Sequence, residues 1–136
     1  MSEASTNARS VVVERELPHR PEKIWRALTQ PHLMEEWLMK SDFEPRVGHR
    51  FTLRGNWGSA SCEVLEIEVN RSLSYTWDAM GLESVVTFTL TPTAAGTRLR
   101  MEQAGFPMDH EQAWRGAHAG WNNFLNKLEV LLAKPG

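Results

Sequence analysis

The sequence predicts an α+β domain: a strongly curved antiparallel sheet of about six strands, two short helices after the first strand, and a long C-terminal helix packed across the concave face. Three observations predict it. Apolar residues recur with period two from Phe43 to Gln103, the spacing of half-buried strands. The separators within that region, "GNWG", "NRS", "AMGL" and "TAAG", are too short for crossover helices, so neighbouring strands must run antiparallel. From Trp114 onward the period becomes helical. That segment alone is long enough to cover one apolar sheet face.

The first element is "SVVVEREL", Ser10 to Leu17, β-branched and alternating. Val11, Val13, Arg15 and Leu17 share the face expected to point inward, which puts Arg15 at the edge of the core. "PEKIWRALTQ" follows, with Pro21 suited to a first helical turn and Ile24, Trp25 and Leu28 on one side. Pro31 ends that helix and opens a second, "PHLMEEWL", whose apolar side is Leu33, Met34, Trp37 and Leu38.

Five strands are expected next. Their inward residues by alternation are Phe51, Leu53 and Gly55; Glu63, Leu65, Ile67 and Val69; Leu73, Tyr75 and Trp77; Ser84, Val86, Phe88 and Leu90; and Thr97, Leu99, Met101 and Gln103. Arg98, Arg100, Glu66 and Glu68 fall on the outer face. The last helix is expected to start at Asp109 as N-cap, with Gln112 three residues on. Its stripe is Trp114, His118, Trp121, Leu125, Leu128 and Leu132.

Composition narrows the function classes. The 136 residues suit one domain, expected over 10–136 behind a flexible polar tail over 1–9. A net charge of −2 without a basic run argues against a nucleic-acid surface. No apolar run approaches a membrane span, and the polar start lacks the apolar core of a signal peptide, so a cytoplasmic location is expected. The one cysteine, Cys62, allows no internal disulfide and no cysteine-rich zinc site. It has no neighbouring histidine or base to make a thiolate. His110 and His118 lie two helical turns apart, too far for one tetrahedral ion. No metal, cofactor or catalytic residue is therefore assigned.

Six motifs in order resemble a known family. They are Ile24-Trp25-Arg26-Ala27-Leu28-Thr29 followed by Pro31, and "LMEEWL" (Leu33 to Leu38). "PRVGHRF" (Pro45 to Phe51) is similar to a Pro-x-x-Gly-Gly-x-Phe strand entry, with His49 in place of the second glycine. "EVLEIEVNRSLSYTW" and "GTRLRMEQAGF" resemble the later strands, and "GWNNFLNKLEVLL" resembles a Gly-Trp-x-x-x-Leu-x-x-Leu helix signature. The resemblance is to the helix-grip (START-like, polyketide-cyclase-like, SRPBCC) superfamily. Within it, the homologues of the activator of the heat-shock protein 90 ATPase are nearest. It implies a cavity between sheet and long helix. It leaves function open, because the fold hosts carriers, cyclases, hydrolases and chaperone regulators.

The first half of the last helix is unusual. "RGAHAGW" holds Gly116 and Gly120, each costing roughly 1 kcal/mol relative to alanine in a helix interior. Either these glycines let the helix approach its neighbours closely, or Gly116, Ala117 and Ala119 leave a pocket unfilled. For Gly120, the family signature favours packing. The candidate ligand-binding residues are Arg15, Trp37, Glu63, Tyr75, Trp77, Gln103, Trp114, His118 and Trp121, with Ser84 a further inward polar group and Trp57 at the mouth. They form a largely apolar lining with a few polar groups, as expected of a small-molecule site. Arg15 and Glu63 are expected to pair or to hold a ligand. The expected partner is a small apolar or aromatic molecule, not nucleic acid or membrane. A cofactor-free cyclase or aromatase, a homodimer and a chaperone-regulating interaction domain stand as alternatives.

Overall fold

The computed structural model describes residues 8–135. It contains seven strands: β1 (Ala8–Leu17), β2 (Lys40–Ser41), β3 (Arg50–Gly55), β4 (Gly58–Glu68), β5 (Ser72–Ala79), β6 (Leu82–Thr93) and β7 (Gly96–Pro107). Three helices accompany them: α1 (Pro21–Thr29), α2 (Pro31–Trp37) and α3 (Glu111–Leu132). The two-residue β2 brings the count from six to seven. β1 begins at Ala8, so two residues assigned to the N-terminal tail belong to the sheet, and the rest of that tail lies outside the described residues.

Strand order is β1-β7-β6-β5-β4-β3-β2, antiparallel throughout. β3 to β7 form a meander joined by short turns, and β1 pairs with the last strand. The chain therefore crosses from one sheet edge to the other through α1 and α2. Both helices begin with a proline whose missing N–H has no intrahelical partner to lose.

Alternation holds on most strands. Val11, Val13 and Leu17, Phe51 and Leu53, Leu73, Tyr75 and Trp77, Ser84 to Leu90, and Thr97 to Gln103 all point into the core at the expected spacing. On the outer face, cross-strand ion pairs join Arg98 to Glu16 and Arg100 to Glu14.

β4 departs from expectation. Its buried residues are Ala60, Cys62 and Val64, which puts Glu63 and Leu65 on the outer face. The register against β5 slips between Val64 and Glu66, so Leu65 is an extra residue and the phase changes along the strand. Ile67 returns inward, while Val69, beyond the strand, is exposed. Glu63 lies 3.6 Å from Arg50 on the outer side and does not meet Arg15.

α3 lies across the concave face. Trp121, Leu125, Leu128 and Leu132 are buried against the sheet and against α1 and α2. Its N-cap is His110, not Asp109, and the Asp109 carboxylate engages the His110 ring at 2.9 Å instead of a helix N–H.

A pocket under the first half of helix α3

The two halves of α3 are held differently. The C-terminal half is seated by Leu125, Leu128 and Leu132 and latched at one flank by Arg15. The Arg15 guanidinium donates to Glu129 Oε2 (2.6 Å), Asn126 Oδ1 (2.9 Å) and Asn122 Oδ1 (3.0 Å). Lys23 Nζ donates to the Leu132 carbonyl at 2.7 Å, satisfying one of the open acceptors at the helix end.

The N-terminal half stands over a gap. Ala113, Gly116, Ala117 and Gly120, at i, i+3, i+4 and i+7, form a bare wall on one helical face. A Cβ placed on Gly116 or Gly120 would meet no neighbouring atom within 4 Å. Close packing therefore does not explain either glycine. Together they leave volume free.

That volume is a pocket of about 380 Å³, within the range of small-molecule sites. Trp77, Ala79, Leu82, Gln103 and Phe106 form the sheet wall, and Trp121 and Phe124 close it from the helix. Met39, Trp57 and Met80 complete the lining. No ionisable side chain occurs among these lining residues. A larger recess of about 570 Å³ beside the β4–β5 turn is lined by Glu68, Asn70, Arg71 and neighbouring polar residues, and lacks this apolar enclosure.

Met80 and Gly81 form the two-residue β5–β6 turn, with φ of 54° and 80°. Such turns favour asparagine or aspartate before glycine, since both central residues are left-handed. A methionine there costs of order 1–3 kcal/mol in backbone strain. It places an adaptable, 89% exposed apolar side chain at the pocket rim.

A buried polar chain orders the aromatic lining. Trp121 Nε1 donates to Gln103 Oε1 (2.8 Å), Gln103 Nε2 donates to Ser84 Oγ (2.9 Å), and Ser84 Oγ donates to the Trp77 carbonyl (2.8 Å). An indole N–H can only donate, so the Gln103 oxygen must face Trp121 and its nitrogen must face Ser84. Trp121 also packs against Trp77 (centroids 5.4 Å, 59°) and Phe124 (5.5 Å, 72°). These tilted geometries favour aromatic contact.

Of the nine candidates from the sequence, Trp77, Gln103 and Trp121 meet in this pocket, together with Trp57. Ser84 lies behind Gln103. Trp37 and Tyr75 are core: Trp37 Nε1 donates to the Ala27 carbonyl (2.8 Å), and Tyr75 packs among Phe43, Phe51 and Phe88. Burial pushes the Tyr75 phenol well above its usual range. Arg15 and Glu63 are an α3 latch and an outer-face residue.

Trp114 and His118 face the β1 edge. Trp114 Nε1 donates to the Ser10 carbonyl (2.8 Å), Arg9 lies over the Trp114 ring (4.4 Å), and exposed His118 stacks beside it (5.7 Å). Ala119 is exposed and does not line the pocket. The pocket wall lies roughly a quarter-turn round α3 from the apolar stripe, at 3.6 residues per turn. Sequence reasoning missed Met39, Ala79, Leu82, Phe106 and Phe124, and also Ala113, Gly120 and Met80, for which the sequence did hold a signal. The signals were a small-residue series at helical spacing and a methionine where a tight hairpin prefers asparagine.

Other chemistry is sparse. The Cys62 thiol is buried and pushed up to about 12 by desolvation, with Asp78 and Asp42 adding in the same direction, which is the wrong setting for a nucleophile. Among the described residues no group of three or more His, Cys, Asp or Glu converges as a metal site. No described helix is long and apolar enough to cross a membrane.

A curved antiparallel sheet gripped by one long helix, with an apolar pocket between them, defines a helix-grip protein. The chain belongs to the family described as Activator of Hsp90 ATPase homolog 1-like protein, which matches residues 18–133. Its fold is similar to that of protein MLL2253 from Mesorhizobium loti, with 60% identity, 91% of this chain and 96% of that chain covered, and a TM-score of 0.88. It is also similar to CalU16 from Micromonospora echinospora, with 28% identity, 93% and 77% covered, and a TM-score of 0.81. A third likeness is to DynU16, a protein in the dynemicin biosynthetic locus, with 25% identity, 90% and 46% covered, and a TM-score of 0.82. This chain thus spans about half the length of DynU16. No curated protein matches the chain.

Proposed function

We propose that this chain is a small-molecule binding protein that holds an apolar, ring-containing ligand between the sheet and the first half of α3. The observation that carries this is the pair of glycines facing open volume: a helix interior accepts the cost of Gly116 and Gly120, and the space left by their missing side chains is walled by Trp77, Trp121, Phe106 and Phe124. An enzyme of the cyclase kind is the second reading, favoured by the likeness to a protein of a biosynthetic locus. The lining favours binding over acid–base chemistry, since none of its side chains titrates.

Binding is tested with a panel of flavonoids, fatty acids and short polyketide mimics. At least one should shift tryptophan emission and raise the melting temperature by mass action. Ala117→Trp, on the pocket wall, should abolish that shift in a folded protein. Unchanged affinity in the folded variant would place the site elsewhere. Turnover of a panel member, seen as a new mass by chromatography, would move the assignment to the cyclase reading.

A further inference from the structure

Gln103 is the single hydrogen-bonding side chain among the pocket-lining residues apart from the indoles, and it is 4% exposed. Its orientation is dictated by Trp121, as shown above. Among the described residues, its amide makes two side-chain hydrogen bonds, one at each end. A primary amide offers two N–H donors and two acceptor lone pairs. One N–H of Nε2 and one lone pair of Oε1 are therefore left over on a buried residue that faces the pocket.

We infer that Gln103 is the specificity residue of this pocket, and that it selects an uncharged ligand carrying one carbonyl or hydroxyl oxygen on an aromatic body. The inference rests on the binding reading above. The spare N–H donates to that oxygen. The pair Trp121 and Ser84 holds the amide so that it does not rotate away, which lowers the ordering cost of binding. An ionised ligand head finds no cation in the lining and loses its hydration without compensation.

The test uses four naphthalene probes of one shape on the unmodified chain: naphthalene, 2-naphthaldehyde, 2-naphthol and 2-naphthoate, measured by titration calorimetry at neutral pH. The aldehyde and the naphthol should bind roughly 2- to 10-fold more tightly than naphthalene, the worth of one neutral hydrogen bond. The naphthoate should bind at least about 10-fold more weakly than the aldehyde. Equal affinities for naphthalene and the aldehyde, or a naphthoate as tight as the aldehyde, would overturn the role of Gln103 while leaving the pocket standing. Failure of all four to bind would overturn the pocket and this inference with it. In Gln103→Met, naphthalene and the aldehyde should bind alike, and an aldehyde preference that survives there would also overturn the inference. Should that variant not fold, Trp57→Phe and Trp77→Phe take its place: each removes another lining N–H that has no partner among the described residues, and an aldehyde preference lost in either would overturn the role of Gln103.

Discussion

Replacing Gly116 and Gly120 by alanine should stabilise the protein and impair its pocket at the same time. Both glycines lie within α3, neither has a positive φ, and a Cβ on either meets no neighbour within 4 Å. No overpacking opposes the gain in helix propensity. Each substitution should then contribute about 0.8–1 kcal/mol, or roughly 2 kcal/mol for the pair. In a domain of this size that is a rise in melting temperature of roughly 5–10 °C. Circular dichroism at 222 nm during heating measures it, and urea unfolding with an unchanged m-value checks that the gain is in stability. Two new methyl groups also project from the bare wall into a pocket of about 380 Å³, so affinity for the best apolar probe should fall. Opposite signs for stability and binding are the signature of a site retained for function. If the glycines instead served close packing, the pair would destabilise by about 1–3 kcal/mol through overpacking. A lowered or unchanged midpoint would refute the open-volume reasoning.

Leu128→Ala should cost about 2–5 kcal/mol, because its side chain is buried under the seated half of α3, and an unchanged denaturation midpoint would show that this half is not core. Stability should decline in alkali. The folded state holds the Cys62 proton up to about 12, whereas the unfolded chain releases it near the ordinary 9.0. The folded state therefore binds more protons across that window, and its advantage is complete below 9 and lost as pH climbs towards 12. Tyr75, raised above its ordinary 10.0, acts in the same direction. Urea midpoints from pH 8 to 11 should fall, and Cys62→Ala should flatten the slope; a level profile in the parent chain would contradict the burial of both groups.

Most of the fold is legible in the sequence because one buried face per element imposes a period. Alternation placed β3, β5, β6 and β7 correctly, and short turn-like separators required an antiparallel meander. Four leucine and tryptophan positions of the α3 stripe, Trp121 through Leu132, are buried as their spacing requires. The exception on the strands is β4, where one extra residue at Leu65 resets the phase. A bulge leaves no mark on composition. It is decided by the pairing partner β5, which sequence periodicity does not contain.

The candidate site was legible in part. Trp77 and Gln103 were found because inward-facing aromatic and amide groups are visible by strand alternation, and Trp121 because it lies on the helical stripe. Arg15 was placed at the core edge, but its partners proved to be Asn122, Asn126 and Glu129 on α3, more than a hundred residues away. The sequence by itself determined the elements, the inward face of most strands and the apolar stripe of α3, since these follow from local period and polarity. Only the tertiary structure decided which flank of α3 meets β1 and which overhangs the sheet. The helix can roll on a curved surface without changing its own hydrogen bonds, so its seating depends on Leu125, Leu128, Leu132 and the Arg15 latch acting together. That roll turns Trp114 and His118 to the β1 edge and hangs Gly116 and Gly120 over open space.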